Sequence, residues 1–269
     1  MNKEIVYLIH TPDYLPKYME ILDKMGRDVY LLSYKKPVKY KNSIFFPCTY
    51  GEGKNKLAEI VSRKYKYYLF MDEDGEVFMR DPSLSHLNAL EKFENLLLEY
   101  EPAIGSPSFP NCSNKKKIKK GEIETTWMPD TGCMAFHRDA MKICYPMYYR
   151  LDIINMDWTE QINWVTFRLA FEKYILSFFD ICWENGLHRG GRVKYRRRYF
   201  WDKFYKTSLL YEEDKKKIDE GFKCRNGRSS TGIKYKKPYP GEYLELAEDF
   251  KKRVKKDHNI WKNNPFING

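Results

Sequence analysis

Two carboxylates separated by one residue, Asp72 and Asp74, close the aromatic run Tyr65-Lys-Tyr-Tyr-Leu-Phe-Met71. Hard oxygen donors of this kind suit Mg2+ or Mn2+, which keep positions open for phosphate oxygens. An extended backbone turns alternate side chains the same way, so both acids are expected to face one cavity with Glu73 turned aside. The plain alternative is an acidic turn that closes a strand. Far downstream, His188-Arg-Gly-Gly-Arg-Val-Lys194 offers a third ligand in His188, close backbone approach to a diphosphate at Gly190 and Gly191, and a point charge in Lys194. Taken together, the two stretches describe a site for a metal-bound diphosphate.

Such residues need elements to carry them. Apolar spacing predicts strands at Ile5 to Ile9 and Asp28 to Ser33 with a helix from Tyr14 to Met25 between them. A short strand follows at Ser43 to Phe46. Gly51-Glu-Gly-Lys-Asn55 reads as a turn into a helix from Lys56 to Arg63, after which comes the strand that ends on Asp72. Helical spacing returns from Leu84 to Tyr100, and a strand is expected from Ala103 to Ser106. Asn111 to Gly121 reads as a polar loop, Trp127 to Phe136 as extended chain, and His137 to Tyr145 as a short helix. A long helix from Thr159 to about Lys173 leads into a strand from Ile175 to Trp183. This alternation predicts a mostly parallel sheet covered on both faces, and open α/β sheets bind ligands beyond the carboxyl ends of their strands.

The formal charge of +11, from 48 basic and 37 acidic residues, favours anionic partners: nucleic acid, an anionic membrane or a phosphorylated small molecule. Six cysteines without a Cys-x-x-Cys pair suggest neither a zinc ribbon nor a disulfide framework, and they are expected to be reduced thiols in a cytoplasmic protein. No apolar run reaches the roughly 18 residues of a spanning helix, so membrane contact is expected to be peripheral, on the inner face of a membrane. A soft boundary is placed at residue 194, giving a catalytic domain 1–194 and a basic, aromatic extension 195–269. In that extension Arg196, Arg197 and Arg198, beside Tyr199, Phe200 and Trp201, suit either an anionic membrane interface or a solvated face with its rings packed inward.

In order along the chain, Thr11-Pro-Asp-Tyr14, Tyr67-Tyr-Leu-Phe-Met-Asp-Glu-Asp74, Asp130-Thr-Gly132, Thr159-Glu-Gln-Ile-Asn163 and His188-x-x-Gly191-x-x-Lys194 resemble the motifs of a GT-A glycosyltransferase. The similarity is greatest to glycosyltransferase family 8, whose members transfer sugar from UDP-sugars with retention. Asp130 stands where that family has Asn, Glu160 where it has Asp, and Tyr195 follows Lys194 where it has Pro-Trp. The resemblance implies a GT-A three-layer α/β/α sandwich with a mostly parallel mixed sheet, and a nucleotide-sugar donor. It also implies a saccharide or lipid-linked acceptor and no nucleic-acid partner.

On this likeness Asp72, Asp74 and His188 hold Mn2+ or Mg2+, while Gly191 and Lys194 hold the diphosphate. Thr11 and Tyr14 hold the nucleobase, Lys54, Asn55 or Lys56 reaches ribose, phosphate or sugar hydroxyls, and Gln161 and Asp130 line the donor sugar. Should the configuration invert, Glu160 or Asp157 is the base. Residues 157–163 also read simply as a helix N-terminus, capped by Asp157 or Thr159. Two rivals stand beside the enzyme: a nucleic-acid-binding protein or nuclease, and a catalytically silent module of the same fold.

Overall fold

A computed structural model describes residues 4–108, 123–126, 129–147, 149, 152, 156–185 and 233–253. Nine strands among these residues form one mixed sheet in the order β3-β2-β1-β4-β8-β6-β9-β5, with β7 also paired to β9. The strands are β1 (Ile5–Thr11), β2 (Asp28–Ser33), β3 (Ser43–Phe45), β4 (Tyr67–Asp72), β5 (Gly75–Met79), β6 (Ile104–Ser108), β7 (Ile123–Thr125), β8 (Cys133–His137) and β9 (Ile175–Asn185). The pairings make β1, β2, β3, β4, β6 and β9 run one way and β5, β7 and β8 run against them. The expectation of a mostly parallel mixed sheet holds in that sense.

Among the described residues six α-helices cover the sheet: α1 (Met19–Lys24), α2 (Tyr50–Ile60), α3 (Ala89–Tyr100), α4 (Met141–Cys144), α5 (Met156–Phe171) and α6 (Glu242–Arg253). Period-two alternation sorts the central strands between two cores. Val6, Leu8, Tyr68 and Phe70 pack with Leu57 of α2, Phe167 of α5 and Phe250 of α6. Ile5, Tyr7, Leu69 and Met71 pack with Leu22 of α1 and Phe93 of α3 on the other face. Three layers result, helices over sheet over helices.

The predicted helix over 14–25 contracts to the six residues of α1, because Pro16 biases the preceding residue away from helical angles. The predicted turn at Gly51 to Asn55 is instead the first half of α2. Thr49 and Glu52 form a capping box there, the Thr49 N–H donating to Glu52 Oε2 at 2.9 Å. Glycine is needed inside this helix for closeness: a Cβ on Gly53 would lie 2.4 Å from His10 Nε2. The consequence for the site is direct, since α2 presses flat against β1 and turns Lys54 toward the strand ends.

The described part of the carboxyl-terminal stretch, 233–253, packs on the main core. Tyr243, Ala247 and Phe250 of α6 are buried beside α5, Thr125 Oγ1 donates to the Ile233 carbonyl at 2.7 Å, and the Tyr243 hydroxyl donates to the Glu101 carbonyl at 2.5 Å. The basic-aromatic run at 194–206 lies outside the described residues. Among the described residues no helix is long and apolar enough to cross a membrane, and Cys48, Cys133 and Cys144 are free thiols.

Candidate active site

Chain order reverses beside β1. The chain lays β2 and then β3 on one side, and returns to place β4 on the other. The carboxyl ends of β1 and β4 lie at this switch point, the place where such sheets take ligands. The register pairs His10 with Asp72 across the two strands, so the first acid stands at the switch point. Asp72 continues the alternation of Tyr68 and Phe70 and faces α2.

Strand β4 ends at Asp72, and Glu73-Asp74 forms a turn before β5. Strand alternation therefore does not relate the two acids. Asp74 reaches the same neighbourhood through the turn, and the negative charges of Asp72 and Asp74 are both felt at Asp130 and at the Tyr18 hydroxyl. Tyr18 donates that hydroxyl to the Asp72 carbonyl at 2.9 Å, and the Asp72 N–H donates to the Gly132 carbonyl at 2.8 Å. The turn is thus anchored to β8's approach on one side and to α1's approach on the other.

Lys54 is the electrostatic centre. Only 1% exposed, its ammonium lies 3.2 Å from Asp72 Oδ1, donates to the Thr131 carbonyl at 2.7 Å and to the Tyr50 hydroxyl, and sits 4.1 Å from the centre of the Tyr50 ring. Thr131 Oγ1 in turn donates to Glu160 Oε1 on α5. Burial pushes the Glu160 carboxyl up to about 7, with Asp72 and Asp130 repelling its charge and Thr131 and Lys54 stabilising it. Asp130 is likewise raised to about 7 by burial, against the Gly132 N–H that donates to its Oδ1 at 2.8 Å. Asp72, Asp130 and Glu160 thus gather about one ammonium, and the Asp74 charge reaches Asp130, in a chain whose total charge is +11, a local concentration of acids that a divalent cation would offset.

The donor chemistry of Asp72 and Asp74 fits a hard cation. Among the described residues, however, no three His, Cys, Asp or Glu side chains form a set that holds an ion unaided. His188, Gly191 and Lys194 lie outside the described residues, as do the side chains of Asp157 and Gln161 on α5.

Aromatic rings flank the acids. Tyr34, just past β2, packs against the buried His10 ring with centroids 4.6 Å apart. Burial, ahead of repulsion from Glu73, pushes the Tyr34 hydroxyl up to about 12. Burial and then the Lys54 charge drive His10 down to about 3, so its imidazole is neutral. Tyr14 stands 38% exposed nearby, raised by partial burial and by Glu73 and Asp74. Thr11 is fully buried and donates its hydroxyl to the Tyr14 carbonyl at 2.7 Å, which makes it a brace for the loop that presents Tyr14.

Asn55 has a different task from the one expected. Its amide donates to the Met147 carbonyl at 2.8 Å and accepts from the Met147 N–H at 2.6 Å, so both polar ends are engaged by backbone. Lys56 pairs with Glu59 on the exposed face of α2. Of the three residues expected to reach the donor from this segment, Lys54 alone enters the cluster. Tyr50, Thr131 and Tyr34 escaped sequence reasoning. The capping box at Thr49 would have placed Tyr50 one turn before Lys54 on a helix, whereas Thr131 carries no signal apart from its place between Asp130 and Gly132.

No family model matches the sequence, and no curated protein matches it. Several solved structures show a distant likeness. GalNAc-T7, solved with UDP, GalNAc and Mn2+, is 10% identical with a TM-score of 0.48, over 91% of this chain and 55% of that one. A197 from STIV is 11% identical with a TM-score of 0.39, over 72% of this chain and 99% of that one. The glycosyltransferase GlyE of Streptococcus pneumoniae TIGR4 is 10% identical with a TM-score of 0.29, over 84% of this chain and 66% of that one.

Proposed function

We propose that this chain is a metal-dependent glycosyltransferase of the GT-A type that moves a hexose from a nucleotide-diphosphate sugar, a UDP-sugar in the favoured case, to a saccharide or lipid-linked saccharide. The observation that carries this is the convergence of Asp72, Asp130 and Glu160 around the buried Lys54 at the switch point of the sheet, with Asp74 close enough to act on Asp130. Bound Mn2+ or Mg2+ would supply Lewis-acid stabilisation of charge on the departing nucleoside diphosphate. Asp72 and Asp74 would hold it, with His188 as the third ligand.

The remaining work falls to this chain's own groups. Tyr34 and Tyr14 offer ring faces for the nucleobase, with the buried His10 ring backing Tyr34. Lys54, fixed by Thr131 and Tyr50, orients Asp72 through their 3.2 Å contact. Gly191 and Lys194 are assigned to the diphosphate, and Asp130 and Gln161 to the donor sugar. With retention, the leaving phosphate oxygen receives the acceptor's proton on the face from which it departs, and no protein base is required.

A second reading, inversion, is favoured by one specific observation: Glu160 is held near 7, where a general base works best at neutral pH. A thermal-shift screen of nucleotide-sugars with and without Mn2+ tests the class of donor, since a ligand selecting the folded state raises its melting temperature. Stabilisation by a UDP-sugar only when Mn2+ is present supports the proposal, and indifference to every nucleotide-sugar refutes it. Proton NMR of the first product formed then separates the two stereochemical courses by its anomeric coupling.

A further inference from the structure

Trp183 of β9 has no part in the chemistry assigned above, yet the two acidic turns are built around its ring. A Cβ on Gly75, the residue after Asp74, would lie 2.0 Å from Trp183 Cζ2 and 2.2 Å from Cη2. One on Gly132, two residues after Asp130, would lie 2.6 Å from Trp183 Nε1 and 3.0 Å from Cε2. Both backbones therefore rest directly on the indole, one on its six-membered ring and the other beside the ring nitrogen. Neither position accepts even a methyl group unless ring or turn moves.

The ring itself is firmly placed. Trp183 is 1% exposed and sits opposite Val77 in the β5–β9 ladder. Its indole N–H is buried without a hydrogen-bond acceptor among the described residues. A buried indole N–H ordinarily finds a partner, so shape rather than hydrogen bonding explains this side chain. The two segments it separates also meet at the bond from the Asp72 N–H to the Gly132 carbonyl, 2.8 Å, which passes any displacement at the ring on to Asp72.

We propose that Trp183 is a positioning residue, a rigid spacer that sets the turn bearing Asp72 and Asp74 against the turn bearing Asp130 and so fixes the affinity for a divalent cation with a nucleoside diphosphate. This rests on the function proposed above. Errors of about 1 Å at such a site are enough to cost large factors.

The test compares wild type, Trp183→Phe, Gly75→Ala and the double variant by calorimetric titration of MnCl2 with UDP, alongside urea denaturation without ligand. Gly75→Ala is expected to weaken binding by about tenfold or more and Trp183→Phe by several-fold. The double variant should recover to the Trp183→Phe value, because a phenyl ring lacks the Cζ2 and Cη2 atoms that the new methyl would strike. Variants that are less stable to urea yet bind as wild type does would make the indole mere packing and overturn the proposal. Should Gly75→Ala fail to fold, unchanged affinity in Trp183→Phe alone overturns it. A wild-type chain that binds neither Mn2+ nor UDP refutes the proposed function and this inference together, whereas binding by wild type that all variants match refutes the inference alone.

Discussion

Replacing Lys54 by Met removes a buried ammonium and keeps the length of the side chain. Breaking a buried ion pair by deleting one partner costs about 3–5 kcal/mol, and Asp72, with 18% of its side chain exposed, recovers some hydration, so about 3 kcal/mol is expected at pH 8. The cost should depend on pH in a definite direction. Asp130 and Glu160 have folded-state values near 7, above their ordinary 3.8 and 4.5, so folding favours their protonated forms. The stability they contribute is complete below about pH 4 and is lost as pH rises through 7. Lys54 lowers both values, and its loss raises them further.

At pH 5.5 the two groups are therefore protonated, and Lys54→Met still forfeits the ion pair with Asp72 and the hydrogen bonds to the Thr131 carbonyl and the Tyr50 hydroxyl, but no longer the stabilisation of charge on Asp130 and Glu160. Urea denaturation of wild type and variant at pH 5.5 and 8.0, without metal, measures the difference. The penalty should shrink by about 1–2 kcal/mol at the lower pH. An equal penalty at both, or a larger one at pH 5.5, would show that Lys54 does not compensate these carboxylates.

Glu160→Gln should keep the fold and the affinity for UDP. If Glu160 is the base of an inverting reaction, turnover falls by about 10²–10⁴-fold and the rise in rate near pH 7 disappears; a retaining enzyme keeps most of its rate, and steady-state pH profiles distinguish the two. Phe250→Ala, at a side chain 3% exposed in the core under α5, should cost about 3–5 kcal/mol in a single cooperative transition. A separate early transition with the main melt unmoved would instead make α6 part of an independent tail.

Much of the scaffold was legible because its strands are apolar runs with unambiguous ends: β1, β2, β4 and β9 fall within a residue or two of their expected places, as does the carboxyl end of α5. The position of Asp72 at a strand end followed from Met71 giving way to Asp72 and Glu73. Elsewhere local signals misled. Gly51 and Gly53 spell a turn to any propensity scale, and they sit in a helix because His10 and Tyr149 leave no room for a side chain. Strand β5 was hidden because the acidic turn before it drew attention and its pairing partner, β9, lies more than 100 residues away. Thr131 and Trp183 act only through tertiary neighbours, which no spacing rule encodes. The His188 to Lys194 motif falls outside the described residues, so its place beside Asp72 remains the proposal of the sequence.

The central claim is that Asp72 and Asp74 take a divalent ion together with a nucleoside diphosphate. Electron paramagnetic resonance counts free Mn2+ directly as protein is titrated in the presence of UDP. Wild type should remove about one Mn2+ per chain from the free signal, and Asp74→Asn, with an unchanged melting temperature, should remove almost none. An undiminished free-ion signal with wild type, or equal uptake by Asp74→Asn, would contradict the account.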